Sequence, residues 1–494
     1  MKKSSFKYIF IIFIIGAILF APNLSFAQSN DFQARYEAFK RQARAEYEDF
    51  RAQCNAEYIE FVKEAWKEYQ VLPAIPFPKD EATPPIIKPN KDNGKKRENK
   101  VIAIKNIVSP IEQSPQPKPI SPIYEKEQQG EGKHQFVYCG TECMVRCPNN
   151  ISIDLSSCNN QHIAEAWKVL STDMFNNTIR DFLEIRSRLQ LCDWSYINLI
   201  NTFAKDYLSN ENLATLVTAY IYSQSGYQMR LGRNGNRLYL LYGTKQGIYG
   251  KGYFRVNGIN YYPLENDAKK MEVCDFAFPK EQALSLYIPQ NQLFTYQPTP
   301  MRILISDRYK DMSLSVQVNK NLIDFYNTYL SSEINGNFMT RWAMYANTPM
   351  EREIQNQLYP ILREKISGLS EHDAVNKVLN WVQTAFVYEY DDKVWGHDRA
   401  FFAEETLFYP YCDCEDRAIL FTRLTRDLLG LKCILTYYPG HLASAVCFNQ
   451  QIKGDYLSLN GEKFVVCDPT YIGASVGLIM PSMDIQKATV ILLE

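Results

Sequence analysis

The feature that most restricts the fold is a change of hydrophobic period near the C-terminus, where a helical run opening at a cysteine gives way to alternation. In YCDCEDRAILFTRLTRDLLG the acidic Asp413, Glu415 and Asp416 mark a helix start, and apolar residues recur at helical spacing from Ala418 to Leu429. After the Pro439-Gly440 turn, HLASAVCF alternates and reads as a strand. A second strand, Lys463 to Cys467, ends at Asp468-Pro469-Thr470. The order helix, strand, strand belongs to an α+β fold.

That order also lines up three residues with chemistry. Cys414 stands at a helix N-terminus, where unpaired N–H groups and the positive dipole end favour the thiolate, which is the nucleophile. Glu415 and Asp416 oppose this, so a cationic partner is needed, and His441 fits that role. A carboxylate at Asp468 can accept from one imidazole nitrogen and leave the other facing the sulfur, the arrangement of nucleophile, base and orienter. Each residue also has a plain reading: free cysteine is often a small buried hydrophobe, a histidine after a turn is often a surface residue, and Asp-Pro often ends strands. The joint order favours the chemical reading.

On these residues the segment from about Asp373 to Tyr471 resembles the catalytic core of the transglutaminase-like superfamily of papain-like thiol enzymes. The matching pieces are DAVNKVLNWVQTAFVY, CEDRAILFTRL, YYPGHLASAV and FVVCDPTY, about a fifth of the chain. The resemblance implies a core of helices and antiparallel sheet, with Cys414, His441 and Asp468 as the catalytic residues. It further implies that Cys414 attacks an amide carbonyl, releases an amine and forms a thioester, which water or an acceptor amine resolves. Two positions depart from the family: Cys412 stands where Gly is common, which raises a rival nucleophile, and Ala443 stands where an aromatic is common. A missing aromatic weakens water exclusion and tilts the expectation to hydrolysis over cross-linking. The register favours Cys414 over Cys412. The Cys414 N–H is one candidate oxyanion donor, and Tyr411 or Tyr388 another, each also readable as an amphipathic core aromatic.

The first 27 residues combine a basic start, an apolar run and a small-x-small ending at Ser25-Phe26-Ala27, the pattern of a secretory signal cleaved after Ala27. No second long apolar segment follows, so the expectation is an exported chain, periplasmic or secreted, without an integral membrane segment after cleavage. Loss of Lys2, Lys3 and Lys7 takes the net charge from −1 to −4, which gives no basis for a nucleic-acid partner. Twelve cysteines in an exported chain allow disulfides. Cys139, Cys143, Cys147 and Cys158 cluster, but their spacing matches no familiar zinc pattern and no histidine completes it, so no metal and no organic cofactor are expected.

Residues 28–70 are expected to form one long helix. Phe32, Ala43, Cys54 and Ala65 recur every eleven residues, as do Tyr36, Tyr47, Tyr58 and Tyr69, and Phe39, Phe50 and Phe61. Eleven residues over three turns predict an aromatic stripe with a right-handed coiled-coil tendency. Through residues 31–70 the stripe serves self-association or docking, or packs back onto the chain's own body. Residues 71–133 hold eleven of the 24 prolines and read as an extended linker. Residues 134–350 read as an accessory α+β domain, and 351–494 as the catalytic domain. Cys192-Asp193-Trp194 opens a helix followed, after Gly226, by two strands around NGN, an order that suggests an inactive second copy of the catalytic fold. The functional expectation is a cysteine peptidase or amidase acting on peptide or protein amides. The alternatives are a cross-linking acyltransferase and a non-catalytic envelope binding or scaffold protein.

Overall fold

The computed structural model describes residues 26–78, 84–88, 98–109, 116–265 and 268–494, with side chains from residue 32 onward. The expected signal segment lies outside the described residues, apart from the backbone of its last two. Two compact units emerge, Met1–Asn55 and Ala56–Glu494. The architecture is mixed α+β, with a long N-terminal helix. No helix among the described residues is long and apolar enough to cross a membrane.

The long helix, α1, runs Phe26–Lys63. Within the first unit, Phe32, Tyr36, Phe39, Tyr47 and Phe50 of the eleven-residue stripe are exposed. Within the second unit, Tyr58 is buried with its ring 4.3 Å from Trp167 and 5.0 Å from Phe278. The helix stops seven residues short of the expected end at 70. Trp66 Nε1 donates to the Val62 carbonyl at 3.0 Å, and the next residues form β1 (Lys67–Gln70), an edge strand of a sheet that Tyr69 packs against. Ladder hydrogen bonds and burial of Tyr69 outweigh the local helical period.

The two large sheets of the second unit further contain β2 (Ile104–Val108), β3 (Met229–Asn234), β4 (Arg237–Thr244), β5 (Phe254–Val256), β6 (Ile259–Pro263), β7 (Lys270–Cys274), β8 (Lys432–Tyr438), β9 (His441–Cys447), β10 (Tyr456–Leu459), β11 (Glu462–Cys467) and β12 (Ala488–Leu492). The helices are α2 (Asp193–Tyr207), α3 (Glu211–Gln224), α4 (Thr340–Asn347), α5 (Glu371–Thr384) and α6 (Cys414–Leu429).

The 71–133 segment is not a free spacer where it is described. Leu72 and Ile75 bridge to Tyr253 and Tyr249. Ile86–Ile87 pairs with Tyr471–Ile472, and β2 is the outer strand of the C-terminal sheet. Ile120 N–H donates to the Gln224 carbonyl. Gly226, at φ +93°, takes this strap at such close range that a Cβ there would lie 1.7 Å from the Lys118 oxygen. The composition misled because isolated Leu and Ile residues between the prolines find apolar partners, while prolines are tolerated along edges.

Two six-stranded sheets dominate the second unit, ordered β1-β7-β3-β4-β6-β5 and β10-β11-β9-β8-β12-β2. Each contains five strands that follow a helix, α3 or α6, and each sets those five in one spatial order: fifth, first, second, fourth, third. All pairings among the five are antiparallel in both sheets. The added sixth strand lies beside the fifth in both cases, antiparallel for β1 and parallel for β2. The topology therefore repeats within the chain. The second copy is fed by α6, which ends at Gly430 in the left-handed region (φ +64°).

The expected boundary at 350 cuts through contacts. Trp381 Nε1 donates to the Leu304 carbonyl, Ser306 Oγ lies 2.7 Å from Asn380 Oδ1, and Arg426 donates to the Ala346 carbonyl. Residues 302–347 thus brace the C-terminal helices. One face of the C-terminal sheet closes over a core of Ile434, Tyr438, Ala443, Ala445, Phe464 and Val490, and Ile102 of the strap is buried in it. Ile102→Ala should cost about 2–4 kcal/mol of unfolding free energy in urea titrations. A spacer residue would cost close to nothing.

Candidate thiol site

Three backbone devices place the three residues. Cys414 is the first residue of α6, with Asp413 at the N-cap; the Asp413 N–H donates to Asp416 Oδ2 at 3.1 Å. The two-residue turn Pro439–Gly440 pairs Tyr438 with His441 at the head of β9. Asp468 follows β11, which pairs with β9 through Ser444 and Cys467.

His441 Nε2 lies 3.0 Å from Asp468 Oδ2, and both side chains are buried. The other carboxylate oxygen of Asp468 accepts the N–H groups of Thr470 (2.9 Å) and Tyr471 (3.2 Å). With Asp468 accepting at Nε2, the lone pair is directed to Nδ1. Nδ1 is buried and has no hydrogen-bond partner. Cys414 and His441 line one cavity of about 620 Å³. Cys414 Sγ lies 3.5 Å from Glu415 Oε2. Burial pushes its thiol well above the ordinary range and the charges of Asp413 and Glu415 push the same way, while a hydrogen bond from the Leu442 N–H opposes them. The resting form is a thiol, and the helix N-terminus does not by itself overcome these acids.

The other candidates separate. Cys412 is buried, its sulfur 3.9 Å from the Val387 carbonyl, and burial pushes its thiol up to about 11. It does not line the cavity. Tyr388 lies near enough for the charges of Cys414, Asp413 and Glu415 to add to burial in raising its phenol. Tyr411 is exposed and off the cavity wall. Ala443 faces the sheet core rather than the cavity, so the step from Ala443 to water access does not hold. The aromatic wall comes from Trp342 and Tyr437, whose rings lie 5.4 Å apart.

Several residues that shape the site carry no signal in local sequence. Gln383 of α5 lies within hydrogen-bond distance, through Nε2, of the carbonyls of Asp468 (3.0 Å), Tyr471 (2.9 Å) and Ala474 (3.1 Å), and so ties down the loop that presents Asp468. Its Oε1 accepts the Gly473 N–H. Arg341 of α4, buried, pairs with Asp398 and lies 3.7 Å from Glu415. Asp391, Asp398 and Glu415 bring carboxylate oxygens within 4.8 Å of one another, as Asp413, Cys414 and Glu415 do with their ligand atoms. Among the described residues no two cysteines, Cys139, Cys143, Cys147 and Cys158 included, are joined in a disulfide.

The repeated topology identifies the matching positions in the first copy. Arg237 opens β4 opposite Asn234, as His441 opens β9 opposite Tyr438. Three residues further on, the Leu264 N–H donates to the Leu240 carbonyl where Cys467 pairs with Ser444. Glu265 therefore matches Asp468, and Glu211, at the head of α3, matches Cys414. Glu211 and Arg237 form an ion pair at 3.3 Å, and Glu265 accepts from Asn201 and Lys205. The adjoining cavity is only about 20 Å³. Cys192 is not the counterpart of Cys414: it caps α2, one helix before the helix that feeds the strands.

Comparison of the chain with family models, with curated proteins and with solved structures finds no match.

Burial raises the carboxyls of Asp391 and Asp398 above their ordinary value, Asp398 to about 7. The folded chain then keeps protons that the unfolded chain releases above about pH 4. The stability these groups contribute is fully present below that value and is lost as pH rises through about 7. Asp391→Asn retains an acceptor for the Arg399 N–H that Asp391 now binds at 2.6 Å. In thermal melts it should raise Tm by about 2 °C or more at pH 8 and by less at pH 5. Equal gains at both values would contradict the assignment.

Proposed function

We propose that the C-terminal region is a transglutaminase-like thiol hydrolase that cleaves peptide or protein amide bonds, with Cys414 as nucleophile, His441 as base and acid, and Asp468 as orienter. The observation that carries this reading is the buried, unpartnered Nδ1 of a histidine whose Nε2 is engaged by Asp468, on the wall of the cavity that Cys414 also lines. A buried imidazole nitrogen without a partner is costly unless it has a task.

In this reading Nδ1 takes the Cys414 proton as the sulfur attacks the amide carbonyl, and returns it to the departing amine. The product is a thioester on Cys414. Water, deprotonated at Nδ1, then cleaves the thioester to release the acid and restore the thiol. The raised thiol value makes proton transfer part of the attack rather than a prior event. Tyr388 and the Cys414 N–H are the candidate donors to the carbonyl oxygen. The carboxylate-rich wall offers acceptors to a water molecule, which favours hydrolysis over transfer to an amine. The signal-like segment 1–27 fits export ahead of this activity.

The test is per-cysteine alkylation by iodoacetamide in the mature chain, read by peptide mass spectrometry, alongside amide turnover. His441→Ala should slow Cys414 labelling and lower turnover by about a thousandfold, and Asp468→Ala should lower turnover by about a hundredfold or more with the fold intact. Labelling of Cys414 that is indifferent to His441 would remove the pair from any mechanism.

A second reading, a scaffold working through the N-terminal helix, is favoured by the exposed Phe32, Phe39 and Phe50. If the stripe pairs with a second copy, Phe39→Glu with Phe50→Glu should convert a dimer to a monomer in sedimentation velocity. An unchanged sedimentation coefficient would set that reading aside.

A further inference from the structure

The cavity beside Cys414 has a charge problem that the thiol chemistry does not explain. Asp391, Asp392, Asp398, Asp413 and Glu415 line it, against two cations, Arg341 and Lys393. Lys393 pairs with Glu389 at 2.8 Å on the exposed rim. Arg341 is engaged by Asp398 and lies 3.7 Å from Glu415. Asp391 and Asp413 are thus left without a cationic side chain of their own on the cavity wall. Asp413 is only 3% exposed, and its Oδ1 has no hydrogen-bond partner.

An unpaired buried carboxylate next to a nucleophile that must carry negative charge is unfavourable twice over: it lacks a partner, and it opposes the thiolate. A positive group placed among these acids relieves both.

We infer that this cavity is a subsite for a cationic side chain of the substrate, a Lys ammonium or an Arg guanidinium, held by Asp391, Asp398 and Asp413 beside Cys414. The inference rests on the thiol-hydrolase reading and names the class of acyl donor. The cation belongs to the donor rather than to an attacking amine, because flanking carboxylates keep an ammonium protonated and so without a nucleophilic lone pair. Burial and mutual repulsion hold Asp413 and Asp398 raised in the unliganded site, so the arriving cation also draws these carboxyls into their charged form. The substrate itself completes the electrostatics that the nucleophile needs, and an uncharged or acidic chain does not.

The test uses the full mature chain and three methanethiosulfonate reagents of similar size, bearing ethylammonium, hydroxyethyl or ethylsulfonate groups. Labelling is read at each cysteine, with the partly exposed Cys447 as the reference outside the cavity. The ammonium-to-sulfonate rate ratio at Cys414 should exceed that at Cys447 by about tenfold, and agmatine should protect Cys414. Asp391→Asn with Asp398→Asn should bring the ratio to within about twofold of the reference. If the double variant does not fold, Asp392→Asn on the exposed rim should give a partial fall. A wild-type ratio equal to the reference, or a Cys414 closed to all three reagents, overturns the subsite. Loss of the preference with calcium but not with agmatine makes this a metal site and also overturns it. Failure of the hydrolase reading is separate: labelling of Cys414 would then be unaffected by His441→Ala, whatever the charge ratio.

Discussion

The register of the β8–β9 hairpin governs the site. A two-residue turn admits one pairing, Tyr438 with His441, and because side chains alternate along a strand, a slip of one residue would exchange the two faces of β9. In the register adopted, Ala443 and Ala445 enter the sheet core, Ser444 Oγ lies 3.5 Å from the Ala418 carbonyl of α6, and His441 sits at the strand head. The same ladder sets Cys467 opposite Ser444, which delivers Asp468 to the imidazole. Gln383 then closes the arrangement from α5 by gathering three carbonyls of the Asp468 loop. The geometry of His441 and Asp468 is a consequence of strand pairing and one helix-borne amide, not of local preference at either residue.

Around that rigid frame the electrostatics run against local stability. Asp413 and Asp416 are buried at the start of α6, and Asp391 and Asp398 face them. Acidic residues in a first helical turn favour the helix dipole, but these carboxyls, buried or nearly so, repel one another, and Asp413 with Glu415 raises the thiol beside them. Arg341, delivered by α4, offsets part of this. Unfavourable charge concentrated in one cavity, beside a closely packed apolar sheet core, is the pattern of a site organised around something it binds.

What local sequence could show follows from the range of the forces involved. The β9 strand was legible from alternation and the Pro439-Gly440 turn, and it begins at His441 as read. The second strand starts one residue earlier than read, at Glu462, and ends at Cys467. Helix α6 was legible from its acidic first turn and apolar spacing. Long-range pairing was not legible. Arg341 and Trp342 lie about seventy residues before Cys414 in a stretch that read as another domain, and only the fold brings them to the cavity. Tyr69 follows the helical repeat but pairs in a sheet, because its partner strand is some two hundred residues away. The proline-rich strap was illegible for a related reason: its buried Ile102 and Val108 are too sparse to register as a periodic element, yet Ile102 joins the C-terminal sheet core and Val108 pairs opposite Ile491.

The repeated sheet order bears on why a buried thiol, imidazole and carboxylate meet at only one end of the described chain. Both copies present the same three positions: the head of the helix, the head of the second strand, and a residue one or two places after the fourth. In the first copy these hold Glu211, Arg237 and Glu265, whose charges are paired with one another or with Asn201 and Lys205, largely in contact with water. Ion pairs of that kind need no cavity and leave almost none. In the second copy the same positions hold a thiol, an imidazole with one open nitrogen and a carboxylate, all buried, beside about 620 Å³ of space. The scaffold is therefore indifferent to chemistry, and reactivity depends on whether the charges at those positions are satisfied within the chain. The first copy pairs its own charged groups within the chain; the second leaves Nδ1 of His441 and Oδ1 of Asp413 unpaired, and an unpaired buried group is the condition under which a bound partner can add favourable interactions.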